Sequence, residues 1–275
     1  MSKMEVGVMA GLTDEGDPFE HVGLFGLKTC QLANWNENLW RPKLADEMKK
    51  LARRAGVRIA AVWAGYPPPG VWNFIDGPLT LGLVPAKYRA ERVACLKKGA
   101  DFAACAGAPA IITHVGFIPE NPKDELFKGT VKAVRQVALH CKRRGIGFWF
   151  ETGQETPVTL LRTIQAVGLD NVGINLDPAN LILYGKANPV DALDVFGRYV
   201  RNVHAKDGLY PTDGMNLGRE VPVGKGKVNF PRLLARLDEL GYRSELIIER
   251  EISGDQQIRD IRKTVGYLRR LVAKL

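Results

Sequence analysis

The chain has 275 residues, 45% hydrophobic and 25% charged, with a formal net charge of +9. That length suits one large domain or two small ones, and no apolar run approaches the thickness of a bilayer, which excludes a transmembrane helix. The charge invites an anionic partner such as a sugar phosphate or nucleic acid. However, Lys49, Lys50, Arg53 and Arg54, like Lys142, Arg143 and Arg144, fall at predicted helix C-termini, where cations suit the dipole, so a solvated basic surface is the simpler reading.

The opening stretch, Met1 to Gly11, is apolar but broken by Glu5 and too short for a secretory signal. Strand and helix patterns then alternate eight times. Strands are expected at about 4–10, 28–33, 57–63, 110–115, 146–151, 171–177, 200–206 and 245–250. Helices are expected near 18–25, 43–55, 86–106, 123–144, 157–167, 189–199, 230–240 and 255–273. The fourth helix has the clearest period, with Phe127, Val131, Val134, Ala138 and Cys141 on one stripe. The cysteines Cys30, Cys95, Cys105 and Cys141 form no CxxC pair, the pattern of reduced, buried thiols in a cytosolic protein.

Asp17-Pro18, Thr156-Pro157 and Asn188-Pro189 each set a capping residue before a proline at the first helical position. Gly56, Gly107, Gly145, Gly168 and Gly241 follow helices, where a left-handed residue ends a helix at little cost. Helix-to-strand turns are short. Strand-to-helix loops are long at Gly11–Asp17, Asn34–Pro42, Ala64–Pro85 and Asp207–Asn229. Short turns on one end and elaborate loops on the other predict an α/β protein, a single-domain (β/α)8 TIM barrel over residues 1–275 with one working face. A doubly wound open sheet is disfavoured, because no GxGxxG follows the first strand and no Walker pattern is present.

Four apolar runs each end in a ligand-type side chain: Phe148-Trp149-Phe150-Glu151, Val172 to Asp177, Val200 to His204, and Leu246-Ile247-Ile248-Glu249. Taken singly, Glu151 could be a salt-bridged strand end, Asp177 a turn former and His204 a histidine bonded to a carbonyl. In a barrel these are the ends of the fifth to eighth strands and share one mouth. Three carboxylates and an imidazole there would desolvate and repel one another without a cation among them. The donor set suits Mn²⁺ or Mg²⁺ and admits Co²⁺ or Zn²⁺, while the absence of sulfur argues against a structural zinc site.

The segments Glu151-Thr152-Gly153-Gln154-Glu155, Asn175-Leu176-Asp177-Pro178, Val203-His204-Ala205-Lys206-Asp207 and Ile248-Glu249 resemble the xylose isomerase-like barrels. Within them, the sugar-phosphate isomerase/epimerase branch is the nearest, and Val221-Pro222-Val223-Gly224-Lys225-Gly226 before a helix resembles it too. The likeness covers nearly the whole chain and is sharp in the second half. It implies one divalent metal held by Glu151, Asp177, His204 and Glu249, and, by analogy with the ketose 3-epimerases, proton transfer by Glu151 and Glu249. A carbon next to a ketone is a poor acid in water, and a metal bound to the carbonyl and its neighbouring hydroxyl stabilises the enediolate as it forms. The implied partner is a sugar or sugar derivative, with no nucleic acid or membrane partner. Barrels of this class commonly form homo-oligomers, although no segment announces an interface.

Epimerases of the branch often carry a histidine three residues after the metal aspartate, where this chain has Asn180. They tend to have an arginine beyond the metal histidine, where this chain offers Lys206, Tyr210 and Arg219, and a second glutamate spaced further out than Glu155. The same metal site serves lyases and dehydratases acting on a keto-sugar, keto-glycoside or keto-cyclitol, which is the alternative activity. An endonuclease IV-like repair enzyme is a remote alternative, since its three-zinc cluster needs more than the four histidines present. A barrel that has lost catalysis would have little reason to keep four costly ligand groups. His114 ends the fourth strand and is expected to contact substrate, as are Trp63, Trp72, Glu155, Asn180, Lys206 and Arg219. The Ala64–Pro85 loop is long enough to be a lid. His21 and His140, on helices, are read as structural.

Overall fold

Alternation of side chains along parallel strands decides which groups reach the centre of this molecule. The computed structural model describes residues 4–275; the first three positions of the opening stretch, and of the 1–275 span, lie outside the described residues. Strands β1 (Glu5–Gly11), β2 (Thr29–Asn34), β3 (Arg58–Ala64), β4 (Ala110–His114), β5 (Gly147–Glu151), β6 (Val172–Leu176) and β7 (Val200–Ala205) follow one another around a closed parallel barrel. After β7, β8 (Asp207–Leu209) and β9 (Arg219–Val221) form a separate antiparallel pair, and β10 (Glu245–Ile248) then closes the barrel between β7 and β1.

Helices α1 (Pro18–Gly23), α2 (Pro42–Ala55), α4 (Ala86–Ala106), α5 (Glu125–Arg143), α6 (Pro157–Val167), α8 (Pro189–Phe196), α9 (Phe230–Glu239) and α10 (Asp255–Val272) are the eight expected ones. Asp17, Thr156 and Asn188 cap their helices through side-chain oxygens. The five glycines expected to end helices all have φ between +61° and +84°. Two short helices were not foreseen, α3 (Gly77–Thr80) and α7 (Pro178–Leu183). The second arises because Asp177 Oδ1 accepts from the Asn180 N–H at 2.8 Å and Pro178 opens the turn. The expected helix 189–199 ends at Phe196 and tightens into a 3₁₀ turn, Gly197–Tyr199. Strands six, seven and eight each stop short of the predicted ends, at Leu176, Ala205 and Ile248.

The outward positions, such as Phe148 and Phe150 on β5, Ile174 and Leu176 on β6, and Leu246 and Ile248 on β10, join the large apolar core shared with the helices. Among their inward neighbours Glu151 and Asn175 are polar, and Trp149 packs against a small separate cluster of Ala61, Trp63 and Ile112. Gln31, Asn175, Asn202 and His204 are inward, fully buried residues. Cys30, Cys95 and Cys141 are buried free thiols, whereas Cys105 is only half-buried, its Sγ 3.3 Å from Asp46 on the outer face between α2 and α4.

The Ala64–Pro85 loop is fastened from beneath. Arg92 on α4 is fully buried without a carboxylate partner; its guanidinium donates to the carbonyls of Thr80 and Gly82 (2.7 Å each), Pro69 (2.5 Å) and Pro67 (3.2 Å). The rings of Tyr66 and Tyr88 lie 4.5 and 4.8 Å from its centre. The loop expected to act as a lid is thus tied to α4 at four of its carbonyls. Among the described residues no helix is long and apolar enough to cross a membrane.

Candidate active site

Each strand from β5 to β7, and then β10, delivers its last inward side chain to the same end of the barrel. Glu151 is the final residue of β5. Asp177 follows β6 directly and doubles as the cap of α7. His204 is the penultimate residue of β7, and Glu249 follows β10. One potential ligand atom from each of the four lies within 4.8 Å of all the others. His204 Nδ1 stands 3.1 Å from Glu249 Oε2, 3.3 Å from Glu151 Oε1 and 3.7 Å from Asp177 Oδ2. Yet Asp177 Oδ2, His204 Nδ1 and Glu249 Oε2 are all buried without a hydrogen-bond partner. Buried polar atoms without hydrogen bonds are costly, and here their charges are balanced only by ion pairs with one another and with Lys206. A divalent cation accepting those lone pairs removes the cost, so the residues fit the expected metal.

The electrostatics agree. Burial alone would raise the Glu151 carboxyl, but the neighbouring His114 and His204 imidazoles outweigh it and hold it below the usual range. Burial would also raise Glu249; Lys206 and His204 outweigh that and pull it well down. His204, which burial would keep neutral, is pushed well above its ordinary value by Glu151 and Glu249. The cluster thus demands positive charge, which His204 and Lys206 supply here.

Two features fix the ligands. Thr152 Oγ1 donates to the Asp177 carbonyl at 2.8 Å and accepts from the Asp177 N–H at 2.9 Å, clasping the ends of β5 and β6 together. Inside the barrel, His204 Nε2 meets Gln31 Oε1 at 2.8 Å, and Gln31 Nε2 donates to Asn175 and Asn202 at 3.0 Å each. Gln31, three strands away from His204, has no counterpart in the sequence reading.

The other expected residues divide. His114 Nδ1 accepts from Gln154 Nε2 at 3.2 Å, leaving Nε2 facing Glu151 Oε1 at 3.7 Å. Trp63 is buried and its indole N–H donates to Glu151 Oε2. Asn180 Nδ2 donates to Glu151 Oε1 at 3.4 Å, and its Oδ1 accepts from Lys206 at 3.3 Å. Lys206, almost fully buried, lies 2.7 Å from Glu251, 3.3 Å from Glu249 and 3.5 Å from Asp177. A cavity of about 510 Å³ opens over the cluster, lined by Trp63, Trp72, His114, Glu151, Asn180 and Glu249 among others. Glu155, Lys206 and Arg219 do not line it: Glu155 is buried, Lys206 is buried among carboxylates, and Arg219 is exposed on β9. Burial pushes the Glu155 carboxyl up to about 8. Trp35, Tyr184 and Glu251 line the cavity without having been singled out from the sequence.

The loop after β7 is organised by Asp207. Its carboxylate accepts from the backbone N–H groups of Gly208 (2.9 Å), Gly224 (2.9 Å), Gly226 (3.0 Å) and Val228 (3.1 Å). A Cβ on Gly226 would fall 2.1 Å from Asp207 Oδ1, so only glycine permits this wrap.

A closed parallel barrel with ligand-type side chains gathered at the C-terminal ends of its last four strands defines a xylose isomerase-like architecture. The chain matches the xylose isomerase-like TIM barrel family over residues 19–271 and belongs to it. The crystal structure of a xylose isomerase domain protein from Planctomyces limnophilus is 34% identical, covers 99% of this chain and 98% of that one, and superposes with a TM-score of 0.93. A D-tagatose 3-epimerase-like protein shares the fold at 21% identity, with coverage of 98% and 99% and a TM-score of 0.74. An uncharacterized protein of Methanocaldococcus jannaschii is 25% identical over 194 residues, 66% of this chain and 63% of that protein, so the match spans less than two thirds of its length.

Proposed function

We propose that this protein is a divalent-metal-dependent sugar isomerase or epimerase that moves a proton next to a carbonyl. The observation that carries the reading is the convergence of Asp177 Oδ2, His204 Nδ1 and Glu249 Oε2, buried without hydrogen-bond partners, beside Glu151. Glu151, Asp177, His204 and Glu249 would hold the ion. When bound, it supplies Lewis acidity toward the carbonyl and adjacent hydroxyl of the substrate.

The protein's own groups then have definite tasks. Glu151 and Glu249, from β5 and β10, take the proton from one face of the carbon and return it, on the same or the opposite face. Trp63, Asn180 and His114 surround Glu151 with potential donors and hold its carboxylate as a base. Lys206, lodged among Glu249, Asp177 and Glu251, pairs with Glu249 from the other side. A lyase or dehydratase begins with the same proton removal, and product analysis separates the two outcomes. The endonuclease reading is disfavoured, because His21 and His140 lie on α1 and α5 and only His114 and His204 reach the mouth.

The test is exchange of substrate hydrogen in D₂O. Protein stripped with a chelator and reloaded with Mn²⁺ should incorporate deuterium next to the carbonyl of a ketose or keto-sugar, and Glu249→Gln should abolish incorporation while keeping the fold. Equal exchange by chelated and reloaded protein would refute the proposal.

A further inference from the structure

The cavity over the cluster has two chemically different ends. Its floor carries Glu151, His114, Asn180 and Glu249, while Trp35 and Trp72 line its outer part. These two indoles are 51% and 40% exposed, with ring centroids 6.0 Å apart and planes at 86°. Trp63 joins the two ends, its ring 4.7 Å from that of Trp35 and its N–H on Glu151. Trp35 is held in place: it lies directly on Gly65, where any Cβ would come within 2.6 Å of the indole. Trp72 stands on the loop that Arg92 fastens. Adjacent apolar rings left exposed at the mouth of a cavity mark a binding surface.

Charge narrows the choice. None of the described residues lining the cavity is Lys or Arg. Lys206 is spent on Asp177, Glu249 and Glu251, and Arg219 lies outside the lining. The rim instead carries Glu251, its side chain 56% exposed. A phosphate at the outer end of a substrate would find indole faces and a carboxylate, with no guanidinium or ammonium free to pair with it. The volume of about 510 Å³ falls in the range of roughly 300–1,000 Å³ typical of pockets that enclose drug-sized ligands.

Resting on the reading given under Proposed function, we propose that the substrate is an uncharged, two-part keto-glycoside. Its keto-sugar ring sits on the polar floor, and a flat, apolar aglycone stacks on one of the two perpendicular indoles and meets the other edge-on. The aglycone contributes binding through stacking on the indoles and leaves the proton chemistry to the floor.

The test uses Mn²⁺-loaded protein and three probes: methyl 3-keto-β-D-glucoside, the phenyl analogue, and the methyl compound carrying a 6-phosphate. Titration calorimetry should show the phenyl glycoside binding about tenfold tighter than the methyl one, the scale of one aromatic stacking contact. The phosphate should bind most weakly. In Trp35→Ala and Trp72→Ala the phenyl-to-methyl ratio should fall toward one. Equal affinity for phenyl and methyl probes, preference for the phosphate, or a phenyl preference that survives both substitutions would overturn the proposal. If the methyl compound binds only when Mn²⁺ is present but phenyl brings no gain, the two-part substrate falls and the isomerase reading stands. If no probe binds with or without Mn²⁺, the keto-glycoside proposal falls, and hydrogen exchange on free ketoses decides the isomerase reading.

Discussion

His204 and Gln31 are joined through the barrel interior, Nε2 to Oε1 at 2.8 Å, although they stand on β7 and β2 with two strands between them. Because the Gln31 amide nitrogen donates to Asn175 and Asn202, its oxygen must face the imidazole. That places a proton on His204 Nε2 and turns Nδ1 toward Glu151, Asp177 and Glu249.

Gln31→Leu should therefore weaken Mn²⁺ binding by about 10–100-fold, the usual loss when the partner behind a ligating histidine is removed. Titration calorimetry on the chelator-stripped protein reads this directly, and circular dichroism should show the barrel retained. Unchanged affinity would mean that the imidazole is oriented by other contacts.

Asp207→Ala should leave the buried N–H groups of Gly208 and Val228, and the neighbouring N–H groups of Gly224 and Gly226, without their acceptor. A loss of about 3 kcal/mol is expected, since hydrogen bonds to a charged acceptor are among the stronger ones. Hydrogen exchange should speed up in the segment 221–229 ahead of the rest of the chain. A urea midpoint equal to that of the parent protein would contradict this account.

Arg92→Met should remove the donor shared by the carbonyls of Pro67, Pro69, Thr80 and Gly82. Stability should drop by about 3 kcal/mol or more, because several carbonyls lose a charged donor at once. Limited proteolysis should then cut within residues 65–85, a segment expected to resist in the parent. Continued resistance would show that the loop is held by its own packing.

Glu155 gives a pH dependence with a definite sign. Burial raises its carboxyl in the fold to about 8 from an ordinary 4.5, so the native state holds a proton that the unfolded chain releases. Its contribution is complete below about 4.5 and is lost as pH rises toward about 8, at up to about 1.4 kcal/mol per pH unit. Glu155→Gln should flatten the fall in stability across that window in denaturant titrations. An identical slope in the variant would remove Glu155 as its source.

Local signals in the chain reported the barrel because each unit carries its own punctuation: Asn188 before Pro189, Gly168 after α6, and apolar runs of strand length. The candidate ligands were legible for a related reason. The last inward position of a strand is a polar residue ending an apolar run, and Glu151, Asp177, His204 and Glu249 all take that form. Gln31 and Trp35 were not legible, since their importance comes from contacts with residues far along the chain, His204 and Gly65 respectively. Arg92 reads as one more surface cation on a basic helix until the 64–85 loop is folded over it. Glu155 and Arg219 were offered as counterparts of the family's second glutamate and arginine, and neither reaches the cavity lining; Arg219 stands on the separate β8–β9 hairpin.

The clasp between Thr152 and Asp177 makes the tips of β5 and β6 one mechanical piece. An ion of unsuitable radius cannot be fitted by spreading those two tips apart. Accommodation must fall instead on Glu249, whose side chain is 17% exposed while those of Glu151, Asp177 and His204 are at most 2% exposed. Entry, exchange and discrimination among cations of different size would then be governed by the torsions of a single glutamate at the lip.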